Sequence, residues 1–401
     1  MKFFILLLTG LIMAQISHGQ ETQQSEYAEF FNQNTMRVDY FHSGTSGEEH
    51  FATDRIMNDG SWSGSQEVLL DDLKLGLYFF EVLDQATSTP VYSRGFASIF
   101  GEWQTTGEAK KQWGTFHESV RFPWPLKPVT LVMYKRDASN EFQRIWTLDI
   151  DPAGRGVNPA VNKAPHEVYT LLDNGPVNEK VDIVMLGDGY TADQMEKVRK
   201  DAERLSSELL AVEPFKSRKN DLNIRAVQTP SPVSGVNRPH PGVFKRTPLS
   251  VSYSTFDSER YALAYDNRTI REVAAAVPYD FMIILINEET YGGGGIYRLY
   301  ATVAADNKFS DYIFVHEFGH HFAALADEYY TSSVSYEMGE VTVEPWEMNI
   351  TALLDKENLK WKHLVDEDTP LPTPWEKGPY DNFSYVIQKE RAGLRASKVP
   401  E

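Results

Sequence analysis

The chain has 401 residues, enough for two domains with substantial cores. Aromatic residues at 12% argue against disorder, and a formal charge of −18 leaves no basic stripe to neutralise phosphates, which argues against nucleic-acid partners. There is no cysteine, which excludes disulfides, thiolate ligands, a cysteine nucleophile and a lipid-attachment box.

Residues 1–20 read as a secretory signal: Lys2 supplies the positive end, residues 3–13 the apolar run, and Ser17-His-Gly19 the small residues of a cleavage site. The run is too short to span a bilayer, and no later segment is long and apolar enough, so no membrane insertion is expected. The expectation is an exported protein, periplasmic or secreted.

Residues 21–155 read as an all-β accessory domain of sandwich type. Short runs of β-formers at 36–41, 67–70, 76–83, 91–96, 129–134 and 142–148 alternate with turn residues. Trp62, Trp103, Trp113 and Trp124 read as core and loop packing, with a carbohydrate- or substrate-contacting surface as the alternative. Residues 151–159, rich in Gly, Pro and Asn, read as a linker.

From 160 to 401 the pattern changes to strands alternating with helices, which predicts a mixed, largely parallel sheet covered by helices. Strands are expected at 181–186, 223–227 and 280–287, and a helix capped by Thr191 over 192–212. Gly187-Asp-Gly189 lacks phosphate-loop spacing and reads as a structural turn. His240, in the long polar loop 230–248, reads as a solvated histidine. The run Gly292 to Gly295 either lets a backbone approach closely, leading into a substrate-pairing edge strand at 296–303, or forms a flexible hairpin.

Residues 311–323 carry apolar residues at helical spacing and the pattern His316-Glu317-Phe-Gly-His320. Positions four apart share one helix face, so His316 and His320 can reach one tetrahedral Zn²⁺, with Glu317 displaced to act on a water as general base. On an unbroken helix Asp327 would lie about 16 Å along the axis from His316. The chain must therefore turn back near residues 324–326 for a carboxylate to complete the site. Asp327 is the favoured third ligand, Glu328 the next, and Glu337, Glu340 or Glu344 the third choice. Tyr329 and Tyr330 are candidates for steadying an oxyanion, or for packing. Beyond them a helix is expected over 351–364, and a charged helix over 381–401.

His316-Glu-Phe-Gly-His320 with Leu325-Ala-Asp-Glu-Tyr329 resembles the M64 family of zinc metallopeptidases, the IgA-peptidase group. The likeness extends through Val181-Asp-Ile-Val-Met-Leu-Gly-Asp-Gly-Tyr190, Ser234-Gly-Val236, Tyr291-Gly-Gly-Gly-Gly-Ile296 and Glu344-Pro-Trp-Glu-Met-Asn-Ile350, covering roughly residues 165–375. The stretch before it resembles the β-domain that accompanies this family. The resemblance implies a zincin-like fold and a secreted zinc endopeptidase acting on protein or glycoprotein, through a metal-activated water with Glu317 as general base. It does not carry IgA as the substrate. The competing expectations are a catalytically weak zincin-fold module that binds a glycan or host protein, and a zinc hydrolase of a non-peptide amide or ester.

Overall fold

The computed structural model describes residues 27–161, 166–328, 342–374 and 378. The signal stretch, the tyrosines at 329 and 330, the acids at 337 and 340, and the expected C-terminal helix lie outside the described residues. Those up to 328, with Trp346–Asn349, belong to one compact unit; 342–345 and 350–374 belong to a second.

The first unit opens with strands β1 (Phe31–Gly44), β2 (Glu49–Ser61), β3 (Tyr78–Asp84), β4 (Pro90–Phe96), β5 (Gly114–Pro125), β6 (Val129–Arg136), β7 (Phe142–Ile150) and β8 (Val157–Asn158), with a short helix α1 (Ile99–Trp103) between β4 and β5. They form two four-stranded sheets, β5-β1-β2-β8 and β4-β3-β6-β7. Both sheets contribute to one core: Met36, Val38 and Tyr40 from β1 pack with Tyr78, Phe80 and Val82 from β3. Successive strand residues point to opposite faces. Arg37 and Asp39 therefore lie on the other face of β1, yet they are fully buried as well. That face is covered by a polar seam: Arg121 donates to the Tyr279 carbonyl at 2.9 Å, Asn267 to Ser119 Oγ at 2.7 Å, and Arg55 pairs with Glu272 at 2.7 Å. The seam ties the sheets to the α/β part of the same unit.

That part contains β9 (Val168–Leu172), β10 (Val181–Asp188), helix α2 (Met195–Leu209), β11 (Leu222–Val227), β12 (Val251–Ser252), β13 (Leu263–Ala264), helix α3 (Asn267–Ala274), β14 (Phe281–Ile286), β15 (Gly293–Ile296), β16 (Tyr300–Ala304) and helix α4 (Ser310–Ala323). Six of the strands make one sheet in the order β15-β16-β14-β10-β11-β9. The inner strands are parallel, and the edge strands β9 and β15 run antiparallel to their neighbours. Alternation again sorts the faces. Ile183, Met185, Ile283 and Leu285 meet α2 and α4, while Val184, Leu186, Ile284 and Ile286 meet α3 and the 249–264 segment. Among the described residues no helix is long and apolar enough to cross a membrane.

Several expectations need correction. Residues 67–70 form no strand; Asp71 and Ser93 instead hold this stretch by side-chain bonds to backbone N–H groups. The stretch read as a linker contains β8, paired with β2. Trp62, Trp103 and Trp124 are buried and only Trp113 is exposed, so the tryptophans form no contiguous contact surface. The strand expected at 296–303 is divided: the glycines themselves are edge strand β15, and a turn at Tyr297, Arg298 and Leu299 leads into β16.

The second unit has no helix over 351–364, only single 3₁₀ turns at Lys356–Asn358 and Lys362–Leu364. Its backbone is held by side chains instead. Glu344 accepts from the N–H groups of Ala352 (3.0 Å) and Leu354 (2.7 Å), and Leu353 adopts a left-handed φ of 52°, which no α-helix continues through. Glu344 thus serves as a local cap.

Candidate functional site

The site is built on α4, whose inward face (Ile313, Phe314, Phe318) is sealed into the sheet core. His321 fixes it further. This histidine is fully buried, its Nδ1 bonds the Ile296 carbonyl at 3.0 Å and its Nε2 accepts the Met282 N–H at 3.1 Å. Both nitrogens are used by a neutral ring, and burial pushes the imidazole down to about 3. His321 is therefore a bolt between helix and sheet, a role that the sequence reading did not assign.

The glycine run explains how closely α4 approaches β15. A Cβ on Gly295 would stand 2.2 Å from the Glu317 carbonyl oxygen, and one on Gly293 would stand 3.1 Å from Glu317 Cγ. On the other face, a Cβ on Gly294 would meet the Tyr261 ring at 2.5 Å. The glycines are small because both faces are packed. Neither the flexible hairpin nor an open approach for another chain describes them.

On the other side of α4 the histidines are partly accessible. His316 Nε2 and His320 Nε2 lie 3.1 Å apart, with their rings perpendicular. Asp327 Oδ1 lies 3.1 Å from His316 Nε2 and 3.2 Å from His320 Nε2. Asp327 reaches them because α4 ends at Ala323 and Ala324 takes a left-handed conformation, φ 55° and ψ 35°, so the chain folds back. Asn349 pins the return: its amide accepts from the Ala326 N–H (2.9 Å) and donates to the Ala326 carbonyl (2.8 Å) and to Glu328 (2.9 Å). Glu328 is thereby held on the exposed side, and only Asp327 joins the histidines. His240 is far from this group and bonds Ser254 in an exposed loop.

The three donor atoms test whether a metal fits. Ligands about 2.05 Å from a tetrahedral ion stand roughly 3.3 Å from one another, close to the observed triangle. Asp327 Oδ1 is buried and accepts no well-aligned hydrogen bond despite two nitrogens near 3.1 Å. Short separations without mutual alignment are what donors aimed at a common centre produce. His320 Nδ1 bonds the Leu325 carbonyl, which makes Nδ1 the protonated nitrogen and leaves the Nε2 lone pair facing the triangle. Without an ion, His320 is pushed up to about 9: burial opposes the charge, but Asp327, Glu317 and the Leu325 carbonyl outweigh it. Asp327 is held well below the usual carboxylate range by the two imidazoles, against the effect of burial.

Glu317 offers a carboxylate oxygen within 4.8 Å of the histidine nitrogens. Burial raises its pKa, and the charges of His320, His316 and Arg260 partly offset that. A second carboxyl comes from far away in sequence. Glu102, on α1 of the N-terminal sheets, accepts a hydrogen bond from the Tyr261 hydroxyl, and its pKa is felt by both His320 and Glu317. Burial pushes it up to about 7. No local motif marks Glu102, and only the docking of the N-terminal sheets brings it here.

Comparison with known proteins agrees with this layout. Residues 169–401 match the family described as IgA Peptidase M64, and residues 26–147 match the one described as Peptidase M64 N-terminus. No curated protein matches.

Proposed function

The chain belongs to the M64 peptidase family, a family of metal-dependent peptidases, and from that premise we propose that it is an exported, zincin-like zinc endopeptidase with Glu317 as its general base. The observation that carries this reading is the triangle of His316 Nε2, His320 Nε2 and Asp327 Oδ1, with edges of 3.1–3.2 Å and no mutual alignment. Two imidazoles and one carboxylate form a donor set that suits Zn²⁺ and leaves a fourth position for water or substrate.

Zn²⁺ held there would supply Lewis acidity toward water and the scissile carbonyl. The protein's own groups do the rest. Glu317, ionised beside two histidines, takes a proton from the attacking water and returns it to the departing amine. The hydrogen bond from His320 Nδ1 to the Leu325 carbonyl keeps the ligating tautomer, and Asn349 keeps Asp327 on the site. His321 holds the helix so that these distances persist. The leader at residues 1–20 supports export, and a protein or glycoprotein is the substrate class.

The test is Glu317→Gln in the full chain, assayed on denatured casein and on a mucin-type glycoprotein. One equivalent of zinc by elemental analysis and loss of turnover is the expected result. An active variant would remove Glu317 from the mechanism. A chelator-sensitive wild type with no peptidase activity on any protein would favour a binding module instead.

A further inference from the structure

A cavity of about 790 Å³ lies where the N-terminal sheets meet the starting ends of β10 and β14. None of His316, Glu317, His320 or Asp327 lines it. Arg94, Arg121, Arg271 and Arg298 do, together with aromatic walls that include Trp62 and Tyr279.

The arginines are not balanced in the usual way. Arg121 pairs with Asp59 at 2.9 Å, but its Nη2 is buried without a partner. Arg271 is 4% exposed, its only bond is a long one of 3.3 Å from Nη1 to the Tyr279 hydroxyl, and its Nε has no partner. Arg298 Nε is also buried and unpartnered. Among the described residues, Arg94, Arg271 and Arg298 make no ion pair, although Arg94 donates to the carbonyls of Val68, Leu69 and Ser93. Of the acids lining the cavity, Asp221 is paired with Arg218, and Asp280 accepts from Ser63 Oγ (3.1 Å) and the Asp182 N–H (2.8 Å). A buried guanidinium with an idle N–H is expensive unless something negative reaches it.

A separate observation concerns the backbone. Arg298 sits in the β15–β16 turn at φ 58°, where glycine or asparagine would be less strained. Its own N–H is bonded to the His321 carbonyl at 3.0 Å, so the turn is tied to the end of α4. A strained, charged residue aimed into a cavity, where a small neutral one would serve the turn better, marks a functional position.

We propose that this cavity binds an acidic saccharide, with the idle N–H groups of Arg121, Arg271 and Arg298 meeting its carboxylate or sulfate ester and the aromatic walls covering its ring. Planar guanidinium donors match an oxyanion in charge and geometry. The volume falls in the range of small-ligand sites and exceeds what a bare ion needs. The site is separate from the hydrolytic centre, so occupancy can be read without any turnover.

The test is calorimetric titration of the full, zinc-loaded chain at constant ionic strength with glucuronate, glucose 6-sulfate and inorganic sulfate. At least one of the two sugars should bind, and inorganic sulfate should bind about tenfold more weakly. Arg298→Asn and Arg271→Met should each weaken sugar binding by about tenfold or more. Arg298→Asn should also melt no lower than wild type without ligand, because it removes both strain and an idle charge. Failure of both sugars to bind would overturn the proposal, as would unchanged affinity in both variants or inorganic sulfate binding equally well. A large drop in the melting temperature of Arg298→Asn would show the arginine to be structural and would also overturn it. Loss of peptidase activity alone bears on the hydrolytic centre and leaves this result standing.

Discussion

The carbonyl oxygen of Glu317 passes so close to Gly295 that a Cβ there would lie 2.2 Å from it. The metal-facing helix and the edge strand are in backbone contact at the residue next to the first histidine. Gly295→Ala must therefore push α4 away from β15 and shift both imidazoles. A displacement of about 1 Å at a reacting centre costs on the order of a hundredfold in rate. We expect zinc content and peptidase activity to fall together in this variant, measured by elemental analysis and casein hydrolysis.

Ala324 takes the left-handed conformation at the end of α4 that glycine adopts more readily. Ala324→Gly should raise the urea midpoint, by about 1 kcal/mol in stability, and leave the kcat/KM of casein hydrolysis unchanged. A lower midpoint would mean that the buried methyl group contributes more than the strain removes.

Asn349 touches no donor of the triangle and acts through the Ala326 backbone. Asn349→Ala should weaken zinc binding by about tenfold, with kcat largely restored at saturating zinc. Competition with a chromophoric chelator reads the first part. A loss of kcat that zinc does not rescue would point to substrate contact instead.

Glu102 titrates near 7 because burial disfavours its charged form, with Glu317 adding to the shift and the Tyr261 hydroxyl and His320 opposing it. A carboxyl whose folded pKa is raised holds a proton in the native state that the unfolded chain has already lost. Its presence therefore makes stability fall as pH rises from 4.5 to about 7. Gln at this position keeps an acceptor for Tyr261 and removes the titration. Between those limits wild type should lose on the order of 3 kcal/mol relative to Glu102→Gln, at about 1.4 kcal/mol per pH unit. Urea midpoints across the range check this; parallel curves would contradict it.

The first helical donor pair was readable because helical spacing is local: residues four apart must share a face wherever the helix packs. The need for a bend after Ala323 was equally readable, since rise per residue rules out Asp327 on a straight helix. What bends the chain was not, because an alanine accepts a left-handed conformation only when distant groups such as Asn349 hold it there. The stretch at 351–364 misled for the same kind of reason. Its apolar spacing suits a helix, but Glu344 captures the backbone N–H groups that a helix would need.

The sequence alone determined the chemistry on offer: the donor types, their spacing, the absence of thiols, and the β-then-α/β order of the chain. Tertiary structure decided which groups meet. It selected Asp327 over Glu328, carried Glu102 to the helix from more than 200 residues away, made His321 a bolt, and gathered four arginines around one cavity. The reason is that spacing encodes contacts within a turn or a strand, whereas contacts between elements depend on how their faces dock, which no single stretch specifies.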